Sequence, residues 1–166
     1  MEQPPIPVTS VIKRKAAIEV NCTKNVAFAY IDSGATLPDW LKKCGPVNGA
    51  VKVEVNKGPY SFVGANRTVY FDNGDTIVET LASYKPPAYY SYSVTQFSDF
   101  LKYLTNLAYG QWWFKEVGGK TQVVWVYTFV PKNTFTRLIL SLFATLVYKK
   151  FMKQCLQLAK GQMEKQ

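Results

Sequence analysis

The C-terminal end of this chain constrains its fold most. From Phe135 to Lys160 it runs without proline or glycine through good helix formers. Just before, Pro131-Lys132-Asn133-Thr134 supplies a strand stop and a cap. A long final helix over Phe135–Lys160 is nearly forced. Its apolar positions Leu140, Phe143, Val147, Phe151, Cys155 and Leu158 define one face, while Arg137, Lys149, Lys150, Lys153 and Lys160 fall elsewhere. That face needs a large apolar surface to cover it. Arg137 and Lys149-Lys150 bracket an apolar stretch of roughly eleven residues, well short of the ~20 that span a bilayer. The helix is therefore expected to be buried against protein.

The rest of the chain offers a sheet as the cover. After Gly49 come short runs rich in Val, Tyr, Phe and Thr, separated by Gly, Pro, Asn and Asp. This is the pattern of consecutive antiparallel strands, expected near 50–56, 60–71, 76–84, 88–95, 108–117 and 121–130. Asp72-Asn73-Gly74 and Gly118-Gly119 read as tight hairpin turns, because these residues tolerate positive φ. Upstream, Val11–Val20 reads as a first strand, Asn25–Ile31 as a helix ended before Gly34, and Leu37–Lys43 as a second short helix stopped by Cys44-Gly45-Pro46. Phe97 to Leu107 carries Phe97, Phe100, Leu101, Leu104 and Leu107 at helical spacing, which suggests a helical turn or lid-like loop.

At 166 residues, with 48% hydrophobic and 15% aromatic composition, the chain is long enough for one domain with a substantial core. The expected organisation is a disordered lead at 1–10, a single domain at 11–160 and a short tail at 161–166. Met1 to Ser10 has no basic segment followed by an apolar one, so it does not read as a signal peptide. Cys22, Cys44 and Cys155 are too few and too scattered for a disulfide framework or a zinc site, which points to a reducing, cytoplasmic setting. Histidine is absent, so the usual neutral-pH base and the Ser-His and Cys-His pairs are excluded. No metal and no cofactor are expected. The net charge of +9 describes a basic surface, but no nucleic-acid module accompanies it and no nucleic-acid partner is expected.

Several stretches resemble one superfamily: Leu37-Pro38-Asp39-Trp40, Gly64-Ala65-Asn66-Arg67-Thr68-Val69 leading to Asp72-Asn73-Gly74 and Glu79, Tyr90-Ser91-Tyr92-Ser93-Val94, Thr121-Gln122-Val123-Val124-Trp125, and Phe129-Val130-Pro131-Lys132-Asn133. In their order, between about Lys15 and Leu158, they are similar to the START, pollen-allergen and polyketide cyclase/dehydrase (SRPBCC) superfamily. The resemblance implies an α+β helix-grip fold: a curved antiparallel sheet wrapped around the C-terminal helix, two short helices closing one end, and a cavity between sheet and helix. It is not specific for function, because such folds serve lipid carriers, hormone receptors and ring-closing enzymes alike.

Within that frame the residues themselves suggest a cavity wall. On strand 121–130 the set Val123, Trp125, Tyr127 and Phe129 is expected to face inward, since burying rings contributes most and Gln122 prefers water. The opposite face, with Val124 and Val126, is a candidate dimer contact. The same logic selects Tyr90, Tyr92 and Val94 on strand 88–95. If Asp72-Asn73-Gly74 forms a three-residue loop, Arg67 falls opposite Glu79; a two-residue Asn73-Gly74 turn sets Glu79 opposite Thr68. In relatives, similar positions line the cavity or hold its strands. The candidate ligand-binding set is Arg67, Val69, Phe71, Glu79, Tyr90, Tyr92, Val94, Trp125, Tyr127, Phe129, Phe143, Val147 and Phe151.

Two functions fit. The favoured one is binding or carriage of a hydrophobic small molecule such as a lipid, sterol or aromatic metabolite, which needs a pocket and no catalytic group. The alternative is a cyclase/dehydrase-type enzyme without metal, with Glu79, Arg67, Tyr92 and Tyr127 as candidate catalytic residues. A homodimer and transient membrane contact stand as further partner expectations.

Overall fold

The computed structural model describes residues 10–166. The expected lead at 1–10 therefore lies, apart from Ser10, outside the described residues. In chain order the elements are β1 (Ile12–Val20), α1 (Lys24–Asp32), α2 (Leu37–Trp40), β2 (Ala50–Val55), β3 (Asn66–Phe71), β4 (Thr76–Lys85) and β5 (Tyr89–Thr95). A 3₁₀ turn (Phe100–Tyr103) leads to β6 (Thr105–Val117), β7 (Lys120–Pro131), α3 (Thr134–Phe143), a π turn (Ala144–Tyr148) and α4 (Lys149–Met163).

The strands form one antiparallel sheet of order β1-β7-β6-β5-β4-β3-β2. Every consecutive pair from β2 onward is a direct neighbour, as short turns dictate, and β1 closes against β7. Irregular registers at Ala50/Lys52, Leu81/Ser83 and Thr105/Leu107 bend the strands. The result is the curved helix-grip sheet, with α3 and α4 along its inner face.

Local chemistry explains most boundaries. Gly74 adopts φ 88° and Phe71 N–H donates to Asp75 O at 2.9 Å, so the β3–β4 loop takes its three-residue form. Arg67 is then paired with Glu79. Expected strand 60–71 begins only at Asn66, because Gly64 has a left-handed φ of 93°. The second helix stops at Trp40 rather than Lys43, where Leu41 leaves helical dihedrals and its carbonyl accepts from Ala50 N–H at 2.8 Å. The segment expected as a lid is divided: Asp99 caps the 3₁₀ turn through Leu101 N–H, and β6 then begins at Thr105 rather than 108. On β7, Val123, Trp125, Tyr127 and Phe129 are buried facing the helix. On the other face Val126 is buried between its register partners Lys15 and Gln111, while Val124 is half-buried.

The C-terminal helix departs from expectation in phase. Asn133 and Thr136 form a capping box at its start. At the π turn, Lys149 N–H donates to Ala144 O, five residues back, which inserts one extra residue into the turn. The buried positions are Leu140, Ala144, Tyr148, Phe151, Met152, Cys155, Leu156, Ala159 and Met163, so Leu140, Phe151 and Cys155 face inward as expected. Tyr148 thereby takes the inward place expected for Val147, and Leu158 is 39% exposed. The helix also continues through Gly161 to the buried Met163, into residues expected as tail.

Candidate functional site

The site begins with a row of directly paired inner positions. Leu81 on β4, Tyr92 on β5, Gly110 on β6 and Tyr127 on β7 lie opposite one another in sequence across the sheet. Gly110 has no positive φ; it is small because a Cβ there would overlap the Tyr92 ring and hydroxyl. Tyr92 is thus laid across Gly110.

On one side of this row is an indole cluster. Trp112 and Trp125 stack with centroids 4.7 Å apart at 12°, and Trp40, from α2, meets both edge-on at 5.8 and 6.2 Å. On the helix side, Tyr148 lies 4.8 Å from Tyr127 and 5.3 Å from Phe151 by ring centroids. Between these rings is a cavity of about 70 Å³. Its wall takes in Phe71, Glu79, Tyr92, Trp125, Tyr127, Phe143 and Phe151 from the expected set. Arg67, Val69, Tyr90, Val94, Phe129 and Val147 stand outside the lining.

The positions outside have identifiable roles. Arg67 lies behind Glu79, Tyr90 stacks among Phe114, Trp112 and Tyr92, and Phe129 packs against Tyr127 and Tyr148. Val69 and Val94 are fully buried core, and Val147 is turned aside by the π turn. Sequence reasoning missed the wall supplied by Trp40, Val47, Phe97, Phe100, Leu101 and Tyr148. For Phe97, Phe100 and Leu101 the aromatic spacing was the available signal. Val47 sits in a loop whose position depends on the small antiparallel Cys44–Val47 bridge, which no local pattern announces. Pro46 and Phe100 both line the cavity and are exposed, so the opening lies between that loop and the 3₁₀ turn.

One buried ion pair borders this apolar space. Arg67 Nε donates to Glu79 Oε2 at 2.8 Å, and Arg67 Nη1 donates to Asp32 O at 2.9 Å at the end of α1. The guanidinium also sits 4.3 Å from the Tyr60 ring centroid. Burial alone would lower its pKa; the Glu79 charge and then Tyr60 and Tyr90 outweigh this, so Arg67 is held above its ordinary value and stays protonated. Glu79 faces the cavity as the other half of the pair.

The tyrosines are neutral phenols. Burial first, and then the Glu79 charge, push Tyr92 far above its ordinary range; indole N–H groups of Trp112 and Trp125 offset part of this. Burial likewise raises Tyr127 and Tyr148. Tyr hydroxyls here donate and accept hydrogen bonds but do not serve as bases near neutral pH. The Trp40 and Trp125 indole N–H groups are buried without a hydrogen-bond partner of normal geometry among the described residues, although Trp125 faces Tyr92. No group of three or more Cys, Asp or Glu side chains able to hold a metal occurs among the described residues.

A curved seven-stranded antiparallel sheet gripping a C-terminal helix over an aromatic cavity defines the helix-grip class. The chain belongs to the "Polyketide cyclase / dehydrase and lipid transport" family, whose model matches residues 11–164. No curated protein matches it by sequence. Among solved structures it is similar to ginseng major latex-like protein 151 from Panax ginseng, at TM-score 0.70 and 12% identity, covering 93% of this chain and 98% of that one. It is similar also to the protein XoxI from Bacillus cereus, at TM-score 0.67 and 19% identity, covering 91% and 94%. Ara h 8.0201 matches at TM-score 0.66 and 10% identity, over 94% and 99%. At such identities these likenesses establish the fold. The family description allows both a ligand-binding and a cyclase-type role.

Proposed function

We propose that this protein binds a small apolar molecule between its sheet and C-terminal helix, with a ring-sized aromatic metabolite favoured over a sterol or long acyl chain. The observation that carries this reading is the cavity itself: aromatic walls, about 70 Å³ of free space, and in its lining the Glu79 carboxylate and the Trp40 indole, whose buried N–H has no partner among the described residues. A buried water needs about 10–15 Å³ measured this way, so the space admits a compact group and not a lipid chain. The Trp40 donor favours a ligand that carries a carbonyl or ether oxygen, since a buried N–H without an acceptor costs about 1–3 kcal/mol. Glu79, anchored by Arg67, would accept from a ligand hydroxyl. A cytoplasmic setting belongs to this reading, supported by three free thiols.

The enzymatic alternative rests on the same carboxylate. With the tyrosines held neutral by burial, Glu79 would be the base and Tyr92 or Tyr127 the proton donor in a ring closure or dehydration. Tyr hydroxyls so strongly disfavoured as phenolates are weak acids, which is why binding is preferred.

Native mass spectrometry of protein purified gently from cells is the first test. A defined mass excess, removed by organic extraction and reduced in Glu79→Gln, supports the reading. A bare protein that also leaves its tryptophan fluorescence unchanged when titrated with small aromatic ketones and phenols would refute it.

A further inference from the structure

The exposed side of α3 and the π turn that continues it is more apolar than water should face. Phe135, Leu138, Ile139, Leu142 and Leu146 recur three and four residues apart, on one outward line. Phe135 and Leu146 are 72% and 71% exposed, and the others are exposed as well. The opposite side of the same helix is already used, with Thr136, Leu140 and Ala144 packed inward. The line adjoins the cavity opening, because Phe143, beside it on α3, contacts the exposed Phe100 of the 3₁₀ turn at 5.2 Å between centroids. Tyr103 on that turn is exposed too.

The charge on the helix around this line is basic, and the nearest carboxylates, Asp75 and Asp99, line the cavity and are hydrogen-bonded to Ser98 Oγ and Leu101 N–H. No Asp or Glu occurs between Lys120 and Met163, whereas Arg137, Lys149, Lys150 and Lys153 fall on α3 and the start of α4; Lys160, farther along α4, is paired with Glu164. Arg14 reaches over from β1 to donate to Ser141 O and Thr145 Oγ1, which places another guanidinium on the flank of the stripe. Lys132, before the helix, donates to Lys102 O on the 3₁₀ turn, so two further cations border its start. Beyond Leu146, Lys149, Lys150 and Lys153 are all exposed.

We propose that α3 is a membrane-docking element that lays its apolar line into the interface of an anionic bilayer while the surrounding cations meet the headgroups. No helix among the described residues is long and apolar enough to cross a membrane. An amphipathic helix with an apolar line and a basic surround is instead suited to lie in the interface plane. Charge decides the occupant: a second copy on the same face would bring cations against cations, whereas an anionic lipid surface complements them. Docking here turns the cavity opening at Phe100 toward the bilayer. The proposal stands on the exposed face alone and needs no ligand in the cavity.

The test is co-sedimentation of the full chain with vesicles of phosphatidylcholine containing about 30% phosphatidylserine, against phosphatidylcholine alone. The wild type is expected to bind the anionic vesicles and to weaken as salt rises. Leu138→Glu with Leu142→Glu should lose at least about tenfold in affinity. Lys149→Glu with Lys150→Glu should lose the preference for phosphatidylserine. The milder Leu146→Ser, expected to lose part of the binding, keeps the test informative if the double variant impairs folding. Val51→Glu, at an exposed apolar residue on β2, should bind as the wild type does. Absence of binding, an equal loss in Val51→Glu, or a stable dimer dispersed by the Leu138/Leu142 change would each overturn the proposal.

Discussion

Arg67 and Glu79 occupy directly paired positions on β3 and β4, with Nε and Oε2 at 2.8 Å, and only 2% and 6% of the two residues' surfaces exposed. A pair so far from water is held by hydrogen bonds as much as by charge, and Arg67 has a second acceptor in Asp32 O. Arg67→Leu leaves the carboxylate buried without its cation and is expected to lower stability by about 3–5 kcal/mol. The double change Arg67→Leu with Glu79→Leu should recover much of that loss, because no unpaired charge remains. Urea unfolding of the four proteins in the cycle measures the coupling; additive effects would show that the pair contributes nothing beyond its parts.

Asp32, at the end of α1, has a different balance. Burial raises its pKa from 3.8, and Glu79 adds to this, while the hydrogen bond from Tyr84 at 2.8 Å and the charge of Arg67 oppose it. The folded chain therefore holds this proton more tightly than the unfolded one. Its contribution to stability is full below pH 3.8 and is lost as pH rises through the folded value. Asp32→Asn keeps an acceptor for Tyr84 and removes the charge. The variant should be more stable than wild type near neutral pH, with the gain shrinking in acid. Chemical unfolding of both proteins across that range reads the difference directly.

Gly110→Ala tests how the tyrosine row is built. A methyl at this position has no room unless Tyr92 shifts, so the change is expected to cost about 1–3 kcal/mol. Near-UV circular dichroism should change with it, since Tyr92 belongs to the stacked aromatic network. An unchanged spectrum and unchanged melting would show that Tyr92 moves freely and does not shape the cavity.

The capping box predicts a smaller effect. Asn133 Oδ1 accepts from Thr136 N–H at 2.9 Å, and Thr136 Oγ1 accepts from Asn133 N–H at 2.9 Å. Asn133→Ala should cost about 1 kcal/mol, which corresponds to a melting shift of about 2–4 °C for a domain of this size. A calorimetric scan suffices. A null result would mean that α3 is anchored by its packing alone.

The helix-grip architecture was legible because its signals are local. Alternation on β7 chose the inward face of Trp125 and Tyr127, the Asp72-Asn73-Gly74 turn limited β3 and β4 to two registers, and Asn133 announced the start of the helix. Each depends on residues that are neighbours in sequence. The site depended on meetings between distant segments. Trp40 and Trp125 are brought together by packing across the sheet opening, and local propensity carries no information about such a contact. Val147 and Tyr148 are both apolar, so periodicity alone could not decide which one faces Tyr127. The π turn decided it, by shifting the helix phase until the larger ring filled the concave side. The chain alone thus determined the elements, their order and most of the sheet's inner face; the tertiary structure chose between the two β3–β4 registers, set the helix phase and shaped the cavity, because filling a curved space depends on volumes that meet only after folding.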